Sequence, residues 1–173
     1  MSGAQSPFVR RSNEEPIRIS HTRQHRPYLK RIMFWGAMCG DGPVALLPIS
    51  GTMTAGKYIQ TLNENLVPWM ENQPLNVKYT FHQDNAPSHK AQQTTTFLQD
   101  NSINILGGWP PYSPDLNVIE NLWAHLKYVV RKENVGSKEH LQARIMEVWN
   151  SQETKNVCRR LADSMPKRIK LCI

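Results

Sequence analysis

"VKYTFHQDNAPSH", residues 77–89, decides how this chain is read. Val77, Tyr79 and Phe81 alternate with Lys78 and Thr80, the period of a strand with one face buried. The run then stops at Asp84-Asn85-Ala86-Pro87. Asp-Asn is a common turn pair, so locally Asp84 reads as a turn former. In α/β sheets, however, functional groups gather at the carboxyl ends of strands, where Asp84 would sit. Taken alone, the stretch leaves both readings open.

Outward from it, strands and helices alternate. Arg31–Met38 is an apolar strand, Gly40-Asp41-Gly42 is a hairpin signal, and Val44–Ile49 is the returning strand, with Pro48 placing it at a sheet edge. Thr54 is an N-cap candidate, and the helix after it aligns Tyr58, Leu62, Leu66 and Met70 on one face until Pro68 kinks or ends it. Ser88 is read as the cap of a helix running to about Asp100, weakened by Thr94-Thr95-Thr96. Ile103–Leu106 is a short strand, and Gly107–Pro114 a loop rich in glycine and proline. From about Asn117, Ile119, Leu122, Trp123, Leu126, Val129 and Val130 form an apolar helical stripe. Ser137 caps a helix buried through Leu141, Ile145, Val148 and Trp149, and a last helix carries Val157, Leu161 and Met165 ahead of Pro166. The order predicts an α/β sheet led by an antiparallel pair.

The 173 residues suffice for one domain, and a hydrophobic content of 39% permits an ordinary core. Residues 1–30 read as a basic, poorly ordered arm punctuated by Pro7, Pro16 and Pro27; residues 31–173 read as the domain. The 21 Lys+Arg outnumber 14 Asp+Glu, for a net charge of +7 concentrated at both ends. That surface is either solvated or positioned for nucleic-acid phosphates. Cys39, Cys158 and Cys172 show no paired spacing and read as reduced thiols. No apolar run approaches membrane-spanning length, so a membrane is not an expected partner.

Two further carboxylates follow the second strand signal. Asp115 precedes the helix after Asn117, where it can cap free N–H groups; Glu120 lies in its first turn, about 100° around from Ile119 and off the apolar stripe. Asp84 and Glu120, if brought together, are hard-oxygen ligands suited to Mg²⁺ or Mn²⁺. Asn85, His82 and His89 read as surrounding groups, not ligands. Lys127 and Arg131 share the Glu120 side of the helix, as solvated face or as phosphate contacts. No histidine or cysteine cluster has zinc spacing, and no phosphate-binding glycine loop or nucleophile elbow is present.

"HQDNAPSH" (residues 82–89) followed by "WPPYSPDLNVIENLW" (109–123) resembles the catalytic-domain signature of mariner-type DDE transposases. "FWGAM", "GDGP", "GTMTAGKYIQTLNENLVP" and "SMPKRIK" are similar to the same family in the same order, so the resemblance runs from about Phe8 to the end. It implies a ribonuclease H-like mixed sheet with flanking helices. It also implies a three-carboxylate, two-metal site that activates water or a DNA 3′-hydroxyl for attack on a phosphodiester. On this motif Asp84 is the second acid and Glu120 the third, expected to approach within roughly 4–8 Å as metal-bridging carboxylates. Residues 85–119 lie between them, about one more than the family leads one to expect, and Val118 stands where proline is usual.

The family's first acid is an Asp on the strand before the hairpin, and here no Asp precedes Asp41. The expectation is therefore a domain that begins after its first, central strand. It would be a catalytically incomplete remnant of a metal-dependent DNA cleaving and joining enzyme; the alternative is a non-catalytic nucleic-acid-binding or protein-interaction module. DNA is the expected partner, Mg²⁺ or Mn²⁺ the cofactor and a homodimer a candidate assembly. The expected location is the nucleus in a eukaryote and the cell interior otherwise.

Overall fold

The antiparallel hairpin anticipated from residues 31–49 is present. The computed structural model describes residues 32–74, 76–107, 116–133 and 135–172. They belong to one unit, Arg31–Ile173; the arm expected at 1–30, with the strand candidate Ile17–Ile19, lies outside the described residues.

β1 (Met33–Cys39) pairs with β2 (Gly42–Ile49), Met33 opposite Ile49 and Cys39 opposite Gly42. The register slips between Ala37 and Met38, leaving Val44 unpaired as a bulge near the turn. Gly42 at φ +141° supplies a backbone conformation that a side chain would strain.

The two faces of β1 enter different cores. Trp35 packs with Tyr58, Leu62, Leu66 and Leu98 in the first. Met38 and, from β2, Leu46 pack against Leu122, Leu126, Val130, Val148, Trp149, Val157 and Cys158 in the second. The hairpin is thus sandwiched between helical layers.

The first layer starts at α1 (Ala55–Thr61), where Thr54 accepts the Lys57 N–H as predicted. The helix does not end or break at Pro68. Residues Leu62–Leu66 widen into a π segment, whose last N–H, from Val67, reaches back to the Leu62 carbonyl, and α2 (Val67–Glu71) continues. The wider turn accommodates a ring that can neither donate to nor pack on an ordinary preceding turn. The helix expected from Ser88 is two: α3 (Pro87–Lys90) and α4 (Gln92–Asp100), divided at Ala91, whose ψ is 138°. Ala91 caps α4 through its carbonyl, which accepts from Thr94 and Thr95, while the buried Thr94 hydroxyl donates to the Ser88 carbonyl at 2.8 Å. Ser88 therefore lies inside a helix instead of capping one.

The strands expected at 77–81 and 103–106 shrink to one parallel rung. Phe81 N–H donates to the Asn104 carbonyl at 2.7 Å and Leu106 N–H donates to the Phe81 carbonyl at 2.9 Å. Residues 77–80 join no ladder among the described residues, and Val77 is 43% exposed. Alternation supplies a face to bury but not a neighbour to pair with.

The second layer is α5 (Val118–Arg131), α6 (Lys138–Trp149) and α7 (Gln152–Cys172). Ser137 caps α6 by accepting the His140 N–H at 3.0 Å. α7 runs through Pro166, which the sequence reading had placed beyond the apolar stripe. Ser164 donates to the Leu161 carbonyl, and Arg168 donates to Ser164 Oγ and, at 3.0 Å, to Asn121 Oδ1 of α5.

Candidate active site

Asp84 leaves the Phe81–Ile105 rung and turns immediately. Its Oδ1 accepts the Ala86 N–H at 2.9 Å, the side-chain turn that Asp is suited to make. The same oxygen lies 2.6 Å from His89 Nδ1, which is also 3.3 Å from the Asp84 carbonyl. Both neighbours of Nδ1 are acceptors, so Nδ1 carries the proton and donates. Asp84 Oδ2 takes part in neither bond, and the Asp84 side chain is 57% exposed while that of His89 is 17% exposed. The turn-former and the exposed carboxylate are therefore the same residue: Oδ1 turns the chain, and Oδ2 takes part in neither bond.

Behind this pair stand Tyr58, which the sequence places only on the apolar face of a helix, and Gln83, to which it gives no role. Tyr58 of α1 lies with its ring centroid 4.1 Å from that of His89. Its hydroxyl donates to Gln83 Oε1 at 2.7 Å, and Gln83 Nε2 donates to the His89 carbonyl at 3.3 Å. Burial, and secondarily the Asp84 charge, push the Tyr58 hydroxyl well above its ordinary range, against a hydrogen bond with Trp35. It stays a donor. Burial also holds His82 below the usual histidine range, opposed by Asp84. The available signal was a hydroxylated aromatic on an otherwise aliphatic stripe and a glutamine before the carboxylate.

Glu120 sits in the first turn of α5, exposed and favourable to the helix dipole. Asn117 begins that helix through its carbonyl, without a side-chain cap. Asp115 lies outside the described residues. Lys127 and Arg131 are exposed on the same helix and join no ion pair among the described residues. Asn85 is exposed beside Asp84. Among the described residues no three His, Cys, Asp or Glu side chains gather as a metal cage. In donor chemistry Asp84 and Glu120, two exposed carboxylates, fit a hard divalent cation.

The chain belongs to the DDE superfamily endonucleases, whose family model matches residues 8–142. It is 30% identical over 142 residues to the Tcb1 transposase of Caenorhabditis briggsae and 30% identical over 139 residues to the Tc3 transposase of Caenorhabditis elegans. Those alignments cover 82% and 78% of this chain and 51% and 42% of the relatives, so the chain spans about half the length of the relatives it matches. The Mos1 transposase catalytic domain, solved with raltegravir and Mg, superposes with a TM-score of 0.73 at 22% identity, over 82% of this chain and 73% of that one. A Mos1 paired-end complex with the left transposon end gives 0.76 at 21% identity, over 95% and 48%. The fold is ribonuclease H-like, as the motifs implied.

Proposed function

We propose that this chain is the catalytic-domain portion of a transposase, a metal-dependent phosphodiester-cleaving and strand-transferring enzyme. Asp84 and Glu120 are two of its metal-holding carboxylates. The observation that carries the reading is the Asp84 carboxylate, fixed through Oδ1 by Ala86 and His89 on an exposed side chain, in a segment matched by the family. When bound, Mg²⁺ or Mn²⁺ supplies the Lewis acidity that activates water or a 3′-hydroxyl for in-line attack. The chain's own part is to orient the carboxylates, with His89 as hydrogen-bond donor to Asp84. Lys127, Arg131 and the cations of α7 hold DNA phosphates. Support for DNA as substrate comes from relatives named transposases and a neighbour solved with a transposon end. The arm 1–30 adds charge, the working form is a homodimer, and in a eukaryote the site of action is the nucleus.

The alternative reading is a nucleic-acid-binding module whose carboxylates do not serve catalysis. Fe²⁺ with ascorbate and peroxide cuts a polypeptide beside the bound ion and separates the two. Cuts near residues 84 and 120, suppressed by excess Mg²⁺ and lost in Asp84→Ala, are expected. Scattered cuts unaffected by Asp84→Ala would remove the metal site and leave the binding module. A parallel plasmid-nicking assay with Mn²⁺ then shows whether the carboxylates on this chain suffice for cleavage.

A further inference from the structure

We infer that Tyr58 is a positioning residue for the candidate metal site, setting the direction of the Asp84 carboxylate through Gln83 and His89. The inference rests on Asp84 being a metal ligand.

Asp84 itself is a short side chain at the end of an irregular segment, anchored by one rung of backbone pairing at Phe81. Nothing in that rung fixes the carboxylate. His89 does, through its Nδ1–H, but His89 sits on α3, a helix of one turn, Pro87–Lys90, bounded by the break at Ala91. An isolated turn of helix has little order of its own. His89 therefore needs an external reference, and Tyr58 provides one from two sides. Its ring packs on the imidazole at 4.1 Å, and its hydroxyl holds Gln83 at 2.7 Å, which in turn holds the His89 carbonyl at 3.3 Å. One contact fixes the ring of His89 and the other fixes its backbone.

Tyr58 suits this task because it is itself immobile. It is 1% exposed, lies among Leu62, Leu66 and Leu98, and is carried by α1, which Thr54 caps. Trp35 of β1 packs against the same cluster, so the hairpin borders the core that holds Tyr58. A purely apolar role would be met by phenylalanine. A buried hydroxyl reaching a side chain 25 positions away, which in turn touches the partner of the carboxylate, is a device for orientation. Outer-shell groups of this kind typically change metal affinity about 10–100-fold when removed.

The test uses the whole chain and Mn²⁺ alone, with free Mn²⁺ read by electron paramagnetic resonance and folding by thermal melting. Tyr58→Phe keeps the ring on His89 and removes the hydroxyl; Gln83→Met breaks the relay while leaving Tyr58 intact. Each is expected to weaken Mn²⁺ binding by about 10-fold while remaining folded. Leu98→Ala, in the same core, is expected to lower the melting temperature and leave the affinity unchanged. Parental affinity in both Tyr58→Phe and Gln83→Met, with Asp84→Ala abolishing binding, would overturn the positioning role and keep the metal site. Equal weakening in Leu98→Ala would reduce Tyr58 to general rigidity and overturn it as well. Binding that survives Asp84→Ala, or is missing in the parent, would remove the metal reading itself.

Discussion

Gly36 shows what one residue decides. A Cβ built there would lie 2.8 Å from the Trp123 ring and 3.1 Å from Trp149. Those indoles stack at 5.5 Å between centroids, so neither is free to swing away. The glycine of "FWGAM" exists because the tryptophan of "ENLW" presses on the backbone of β1. Gly36→Ala is expected to destabilise the fold by about 1–3 kcal/mol, the range for overpacking a filled core. Urea denaturation of both proteins measures it, and an unchanged midpoint would mean that the indoles relax. Both motifs were visible in the sequence, but that they touch is a property of the packed state. Cys158 behaves similarly: spacing marked it as a reduced thiol, and only the fold shows it fully buried in the second core. Burial, then the nearby Cys39, pushes its thiol up to about 11. The unfolded thiol ionises from about 9, so its neutral form favours folding most below that pH, and this contribution falls as pH rises toward 11. At pH 8, alkylation mapped by peptide mass is expected to label Cys39 at least about 10-fold faster than Cys158, because thiolate and access both limit the reaction.

Elements were legible where a local device defines them and illegible where a distant neighbour does. Thr54 and Ser137 each stand before an apolar run with helical period and accept the N–H three residues on, so both caps follow from sequence. The hairpin was equally local, through Gly40-Asp41-Gly42. The break at Ala91 was not legible, because it depends on the Thr94 hydroxyl meeting Ser88 and on Thr94 being buried against α1 and its neighbours. Among the described residues the strand expected at 77–81 is reduced to the rung at Phe81, because alternation marks a face and not a ladder partner. Amide exchange should therefore split this segment. Phe81 and Leu106, which donate across the rung, are expected to be slow, as are the β1 amides paired with β2. Lys78, Tyr79 and Thr80 are expected to exchange faster, since they join no ladder among the described residues and such backbone opens without breaking structure. Uniform slow exchange from 77 through 82 would mean that a partner strand pairs there in solution. Of the candidate site, motif and spacing singled out Asp84 and Glu120. The Tyr58–Gln83–His89 support was not legible, since it joins three elements.

At the scale of the molecule the question is where the charge goes. α7 carries Lys155, Arg159, Arg160, Lys167, Arg168 and Lys170 against Asp163 between residues 154 and 172. Lys155, Arg159, Arg160, Lys167 and Lys170 are exposed and make no ion pair among the described residues. Arg144 shows the contrast, bound by both Glu133 and Glu147, the guanidinium lying 2.7 Å from the latter. An ordinary soluble helix alternates its charges, and the self-repulsion on α7 is tolerated most readily if a polyanion neutralises it. With Lys127 and Arg131 this gives seven exposed cations on the two helices, and engaging about five phosphates implies a slope of log K against log salt near −4.5. Duplex DNA affinity measured at 50 and 200 mM salt is then expected to fall by a few hundredfold, whatever the sequence. Replacing Arg159, Arg160 and Lys167 together by glutamine is expected to flatten that slope by about 3, roughly one per lost contact, whereas Asp84→Ala is expected to leave the slope in place. The two variants thus separate holding DNA from holding metal. A slope near zero in the parent would mean that the cations of α7 are solvated and that the basic balance of the chain serves no phosphate partner.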